Sequence, residues 1–134
     1  MKHRLKNKFP ELDEPGRFGT PVYGWDGKRA TMGQWVTMTE TSTQACGQTK
    51  VRGLGKEYRV STVLLGLDYS FGRDGRPLIF ETMVFGDGHA EVLDRYHTLR
   101  QARSGHRKVV RGMCKMLDEQ RKLHGSLLHN GRKR

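Results

Sequence analysis

From Thr98 onward the chain carries two opposed stripes on a helical repeat. At about 100° per residue, Leu99, Ala102, His106, Val109, Val110, Met113, Leu117 and Gln120 share one face. Arg100, Arg103, Ser104, Arg107, Lys108, Arg111, Lys115 and Lys122 share the other. Thr98-Leu99-Arg100-Gln101 is a capping box: the Thr hydroxyl and the Gln side chain each satisfy a backbone N–H that the first turn leaves without a partner. The helix is therefore predicted to start at Thr98 as its cap, with Gly125 as its stop. A helix with one apolar face must bury that face, so the rest of the chain has to build a surface for it. Gly105 and Gly112 each weaken the helix by up to ~1 kcal/mol relative to Ala, and both are read as points of close packing on that surface.

The surface is predicted to be a sheet. Tyr58 to Tyr69 is rich in Val, Leu and Thr, and Leu78 to Phe85 is a second apolar run. Between them, Gly72-Arg73-Asp74-Gly75-Arg76-Pro77 predicts a hairpin with Asp-Gly at its tip. Two near-continuous apolar strands imply central positions with both faces at least partly covered. Thr49 to Arg52 reads as a further strand, turned back by Gly53-Leu54-Gly55, and Gly86-Asp87-Gly88 ends the last one.

Upstream, Val22 to Trp25 predicts a short strand and Asp26-Gly27 a turn. Thr31-Met32-Gly33-Gln34 is another capping box, so a short helix carrying Trp35 is expected over about residues 32–39. Residues 40–47 read as a loop. The fold class is α+β: a small antiparallel sheet covered by one long C-terminal amphipathic helix, plus a short helix near Trp35. Residues 1–20 are read as a basic irregular arm, 21–125 as a single domain and 126–134 as a basic flexible tail.

Several classes are excluded. The longest apolar run, Val63 to Leu67, falls far short of the ~20 residues of a membrane span. No apolar stretch follows the basic start, so Met1 to Pro10 is not a secretory signal. Two cysteines, Cys46 and Cys114, support neither a disulfide framework nor a Cys-rich zinc site, and the reducing cytoplasm is the expected compartment. Both thiols are read as small, semi-buried packing groups.

Charge points to a partner class. Lys and Arg number 25 against 14 Asp and Glu, a formal net charge of +11. Residues 100–134 hold 11 of the basic residues against Asp118 and Glu119 alone. Lys2, Arg4, Lys6 and Lys8 make the other end basic, and the middle is nearly neutral. Arg100, Arg103, Arg107, Lys108, Arg111 and Lys115 are predicted to form one cationic ridge, whose cations step at about 5–6 Å, comparable to phosphate spacing. Lys2, Arg4, Arg132, Lys133 and Arg134 are read as extending it. The competing reading is a solvated helix face.

Other groupings carry less. Glu81 interrupts an apolar strand, Asp68 ends its neighbour, and His106 lies within the apolar stripe. Together they suggest a meeting point where helix crosses sheet. The favoured reading is a structural polar pair of Glu81 and His106, with a general-base or metal role as the alternative. His89, His97, His124 and His129 lack metal-ligand spacing, and Gly53-x-Gly55-Lys56 lacks the rest of a phosphate loop. No metal or cofactor is predicted. Trp25, Trp35 and Tyr23 are read first as core and second as a stacking platform for bases.

Val60-Ser61-Thr62-Val63 through Leu65-Gly66-Leu67-Asp68, then Pro77-Leu78-Ile79-Phe80-Glu81-Thr82-Met83-Val84-Phe85-Gly86, then Arg95-Tyr96-x-Thr98, Ala102 and Gly105-His106, resemble a family of small uncharacterised proteins. Its members occur in tailed bacteriophages, prophages and some actinobacterial genomes. The likeness spans roughly residues 22–110, and Asp26-Gly27 and Trp35 fit its pattern. It implies a phage-type accessory protein in the host cytoplasm and no catalytic residue. The basic arm and the basic stretch beyond about residue 111 depart from the family.

The favoured expectation is a non-enzymatic protein that binds nucleic acid or another polyanion, such as the ribosome, with no membrane association. The rival is a protein–protein effector acting on a host or virion protein, its charge serving solubility and on-rate. A small hydrolase using Glu81 and His106 is a third reading.

Overall fold

A computed structural model describes residues 21–40, 45–70 and 75–132, with side chains over 21–38, 45–70 and 75–125. The architecture is α+β, as the sequence predicts. A small two-stranded sheet pairs β1 (Val22–Tyr23) with β2 (Arg29–Ala30), and α1 (Met32–Glu40) follows. Then come β3 (Ala45–Gly53), β4 (Lys56–Leu64), β5 (Phe80–Gly86), β6 (His89–Tyr96) and the long helix α2 (Leu99–Arg132). The four strands form one antiparallel sheet in the order β3-β4-β5-β6, so the two apolar strands are indeed central.

Both capping boxes close. Thr31 N–H donates to Gln34 Oε1 at 2.9 Å while Gln34 N–H donates to Thr31 Oγ1 at 3.1 Å. At α2, Gln101 N–H donates to Thr98 Oγ1 at 3.1 Å, and Gln101 Oε1 accepts from the N–H of Thr98 and of His97. The predicted turn at Asp26-Gly27 is fixed by Asp26 Oδ1, which accepts the Lys28 N–H at 2.9 Å.

Four expectations need correction. Gly125 does not stop α2, which continues to Arg132; one helical glycine costs only ~1 kcal/mol, and no proline follows. Strand β3 begins at Ala45, inside the predicted loop, with a bulge between Ala45 and Gly47. Strand β4 ends at Leu64, and beyond it Leu67 makes an isolated bridge to Val22. Gly86-Asp87-Gly88 does not end the sheet but turns it into β6. Asp87 and Gly88 have φ of 52° and 76°, the left-handed pair of a tight hairpin turn. Strand β6 is an edge strand, exposed from His89 through Asp94, and its two large apolar residues there, Val92 and Leu93, stand side by side at a bulge, so it shows no period-two pattern. The arm 1–20 and part of the predicted hairpin, residues 71–74, lie outside the described residues.

Helix α2 lies across one face of the sheet and buries two apolar clusters. Leu64, Ile79, Phe80, Tyr96 and Ala102 form one, bordered by Leu99, Tyr23, Trp25 and Met38. Val51, Val60 and Leu117 form the other, bordered by Val109, Val110 and Met113. The predicted apolar stripe therefore docks as expected from Leu99 to Leu117, and Gln120 is exposed.

Candidate functional site

Arg100, Arg103, Arg107, Lys108, Arg111 and Lys115 are all exposed, on the side of α2 turned away from the sheet. They span about 22 Å at 1.5 Å per residue. None of the six has an ion-pair partner among the described residues; of the cations elsewhere, Lys28, Arg29 and Arg59 also lack one there, but several others are paired. Lys50 and Arg52 pair with Glu57, Lys56 with Asp87, and Arg95 with Glu81. Further along α2, Arg121 and Lys122 both pair with Asp118. The helix thus holds an uncompensated stretch before its first carboxylate. Arg103 sits at the shoulder beside β3, where its charge acts on Cys46. Arg132 is the last residue of α2; Lys2, Arg4, Lys133 and Arg134 lie outside the described residues.

Beneath the ridge runs a polar relay that the sequence reading did not foresee. His106 is 8% exposed and lies between the two apolar clusters. Its Nε2 is 2.8 Å from Thr49 Oγ1, and its Nδ1 is 2.8 Å from Thr62 Oγ1. Thr62 Oγ1 is 2.6 Å from Thr82 Oγ1, which is 3.0 Å from the Tyr96 hydroxyl. Each hydroxyl in this chain can donate or accept, and the order in which the protons point follows the tautomer of His106, which must donate from one ring nitrogen and accept at the other while neutral.

Burial, reinforced by the neighbouring Arg107 charge, holds the His106 pKa below its usual 6.5, so the ring is neutral. Burial likewise raises Tyr96, and it pushes the Cys46 thiol up to about 11 against the smaller lowering by a backbone hydrogen bond and Arg103. Both ring nitrogens are engaged by threonine hydroxyls, so in either tautomer His106 has no uncommitted nitrogen to act as a base.

The predicted Glu81–His106 pair does not form. Thr62 faces Thr82 across the β4–β5 ladder, and both point toward α2. Side chains alternate along a strand, so Glu81 points to the opposite face. There Glu81, 7% exposed, accepts from Arg95 Nε at 3.0 Å, and the Arg95 guanidinium stacks 4.6 Å over the Tyr69 ring. Asp68 joins neither. Its Oδ1 takes the N–H of Ser70 at 2.8 Å and of Leu78 at 2.9 Å, pinning the chain between β4 and β5. Partial burial alone raises the Asp68 pKa, but the Ser70 hydroxyl, the Ser70 and Leu78 N–H groups and the nearby His97 together outweigh it and hold the carboxyl below its usual value.

Trp35 is structural, its Nε1–H donating to Leu65 O at 2.9 Å. Trp25 packs on Phe80, with ring centroids 5.9 Å apart and the planes tilted by 46°, and also lines a surface cleft. Gly105 meets Tyr96 closely, as predicted; Gly112 is exposed with open space around it, so its expected packing role is absent. No described helix is long and apolar enough to cross a membrane. Comparison with protein-family models, with curated proteins and with solved structures finds no match to this chain.

Proposed function

We propose that the chain is a non-enzymatic accessory protein of tailed-phage type, acting in the host cytoplasm, that grips nucleic acid or a nucleoprotein assembly through the outer face of α2. One observation carries this reading: six cations stand along about 22 Å of one helix face with no carboxylate partner among the described residues, while four of the sheet's cations, Lys50, Arg52, Lys56 and Arg95, are paired. Side chains without partners are the ones a phosphate backbone can take up without first breaking an internal ion pair. The saturated ring of His106 supports a binding role over acid–base chemistry.

The test is a fluorescence-anisotropy titration of a labelled duplex at low and moderate salt. Arg100→Glu, Arg107→Glu and Arg111→Glu lie on the centre line of the ridge and leave the apolar stripe intact. The combined variant keeps its fold and loses most affinity, uniformly across sequences. Equal binding by this variant, or none by the wild type, overturns the reading. One observation favours docking on a host or virion protein instead. Leu54 (40% exposed) and Leu123 (64% exposed) adjoin on the surface beyond the second cluster. Binding to a protein that persists at high salt would put that alternative in front.

A further inference from the structure

The β1–β2 hairpin and α1 line an open surface cleft of about 420 Å³ that the ridge does not touch. This volume lies in the ~300–1,000 Å³ range of small-molecule sites. Trp25 forms its aromatic wall. The same ring contacts buried Phe80, with centroids 5.9 Å apart and the planes tilted by 46°, which restrains the wall. Lys28 and Arg29 line the rim, and neither has an ion-pair partner among the described residues. Gln34 lines it too; its Oε1 is occupied by the capping box, which leaves the amide N–H₂ available. Met38 closes the apolar end. Asp26 is the one carboxylate on the lining among the described residues, and its Oδ1 already accepts the Lys28 N–H.

An aromatic wall, one amide donor and two exposed cations without ion-pair partners among the described residues, Arg29 resting over the Tyr23 ring at 6.0 Å, suit a planar heteroaromatic ring joined to a phosphate. We propose that this cleft binds a nucleotide, with the base stacked on Trp25 and the phosphate held by Lys28 and Arg29. Position relates it to the ridge. Trp25 borders the same cluster as Leu99 and Ala102 in the first turn of α2, so the cleft lies toward the Arg100 end. In that respect the inference deepens the polyanion reading. An unpaired nucleotide of a strand lying along the ridge would enter the cleft, which makes single-stranded nucleic acid the preferred ligand over duplex.

Two titrations separate the sources. Adenosine monophosphate added to the wild type quenches tryptophan emission with saturation, and Trp25→Phe abolishes the quench because Trp35 is held elsewhere. A labelled single-stranded 12-mer binds more tightly than the same sequence as a duplex. Trp25→Leu lowers single-strand affinity by about tenfold or more and leaves duplex affinity unchanged. Arg29→Glu, an exposed substitution outside the core, does the same if Trp25→Leu fails to fold. The combined ridge variant weakens the 12-mer and leaves the mononucleotide titration unchanged. A mononucleotide quench with no ridge effect on the 12-mer retains the cleft as a free-nucleotide site and removes the ridge reading. Absence of any saturating quench by mononucleotide and 12-mer alike overturns the cleft proposal, while duplex binding still reports the ridge on its own.

Discussion

The phenol of Tyr96, at the end of β6, rests on the bare Cα of Gly105 in α2, so closely that any side chain there would overlap the ring. This contact brings the Tyr96 hydroxyl down to Thr82 and sets how near α2 approaches the sheet. It yields a paired prediction. Gly105→Ala should destabilise by about 1–3 kcal/mol through overpacking, despite the ~1 kcal/mol that Ala ordinarily contributes inside a helix. Gly112→Ala, seven residues on and in open space, should stabilise by up to ~1 kcal/mol. Chemical denaturation of both variants checks the signs; the same sign for both would refute the close approach.

Stability should depend on pH through His106. The folded protein holds its pKa below the usual 6.5, so as pH falls the unfolded chain takes up this proton first. The contribution is fully present above about pH 6.5 and is lost as pH drops through that value toward the lower folded pKa. Urea midpoints at pH 7.5 and 5.5 measure it. His106→Gln should lower stability at the higher pH and show a smaller decline between the two. A wild type and variant with equal decline would place the dependence on another group.

The Glu81–Arg95 pair should respond unequally to its two partners. Glu81→Gln leaves an oxygen for the Arg95 Nε–H and should cost ~1 kcal/mol or less. Arg95→Leu strands a nearly buried carboxylate. Its cost should be about 2–3 kcal/mol, below the ~3–5 of an enclosed pair because a third of the Arg95 side chain faces water. Thermal melts of the two variants decide it, and small equal losses would mean that solvent already screens the pair.

Leu54 heads the β3–β4 turn at φ 56°, followed by Gly55 at 72°. The corresponding pair at the β5–β6 turn is Asp87-Gly88, chemistry suited to that geometry. Leu54→Asn should therefore raise stability by roughly 0.5–1 kcal/mol, since Asn tolerates the left-handed region far better than Leu. A lower denaturation midpoint would show that Leu54 contributes packing against Leu123 that outweighs its strain.

Salt gives the sharpest reading of the ridge. Each phosphate contact released should flatten the slope of log K against log salt by about 0.7–0.9. Replacing Arg100, Arg107 and Arg111 by Gln should therefore reduce the slope by about 2–3. Titrations at four salt concentrations suffice, and an unchanged slope would remove these three side chains from the interface.

Much of this protein is local and so readable in one dimension. Both helix starts follow from four-residue capping boxes, and the 3.6-residue period assigned Ala102, His106 and Leu117 to the buried face and Arg107 and Arg111 to the exposed one. The centrality of β4 and β5 followed from their unbroken apolar runs. Three features were decided only in three dimensions. Strand β6 is held by the β5 ladder and a turn, and its exposed residues carry no burial pattern of their own. The partner of Glu81 depended on which face of the sheet α2 chose; a strand's alternation fixes that neighbours oppose one another but not which of them meets the helix. The relay from Tyr96 to Thr49 joins residues from β3, β4, β5, β6 and α2, up to 57 positions apart, and becomes a hydrogen-bonded chain only when all five elements are in register. Periodicity along the chain determines which side of each element is buried, whereas the pairing of buried polar groups is a property of the assembled layers.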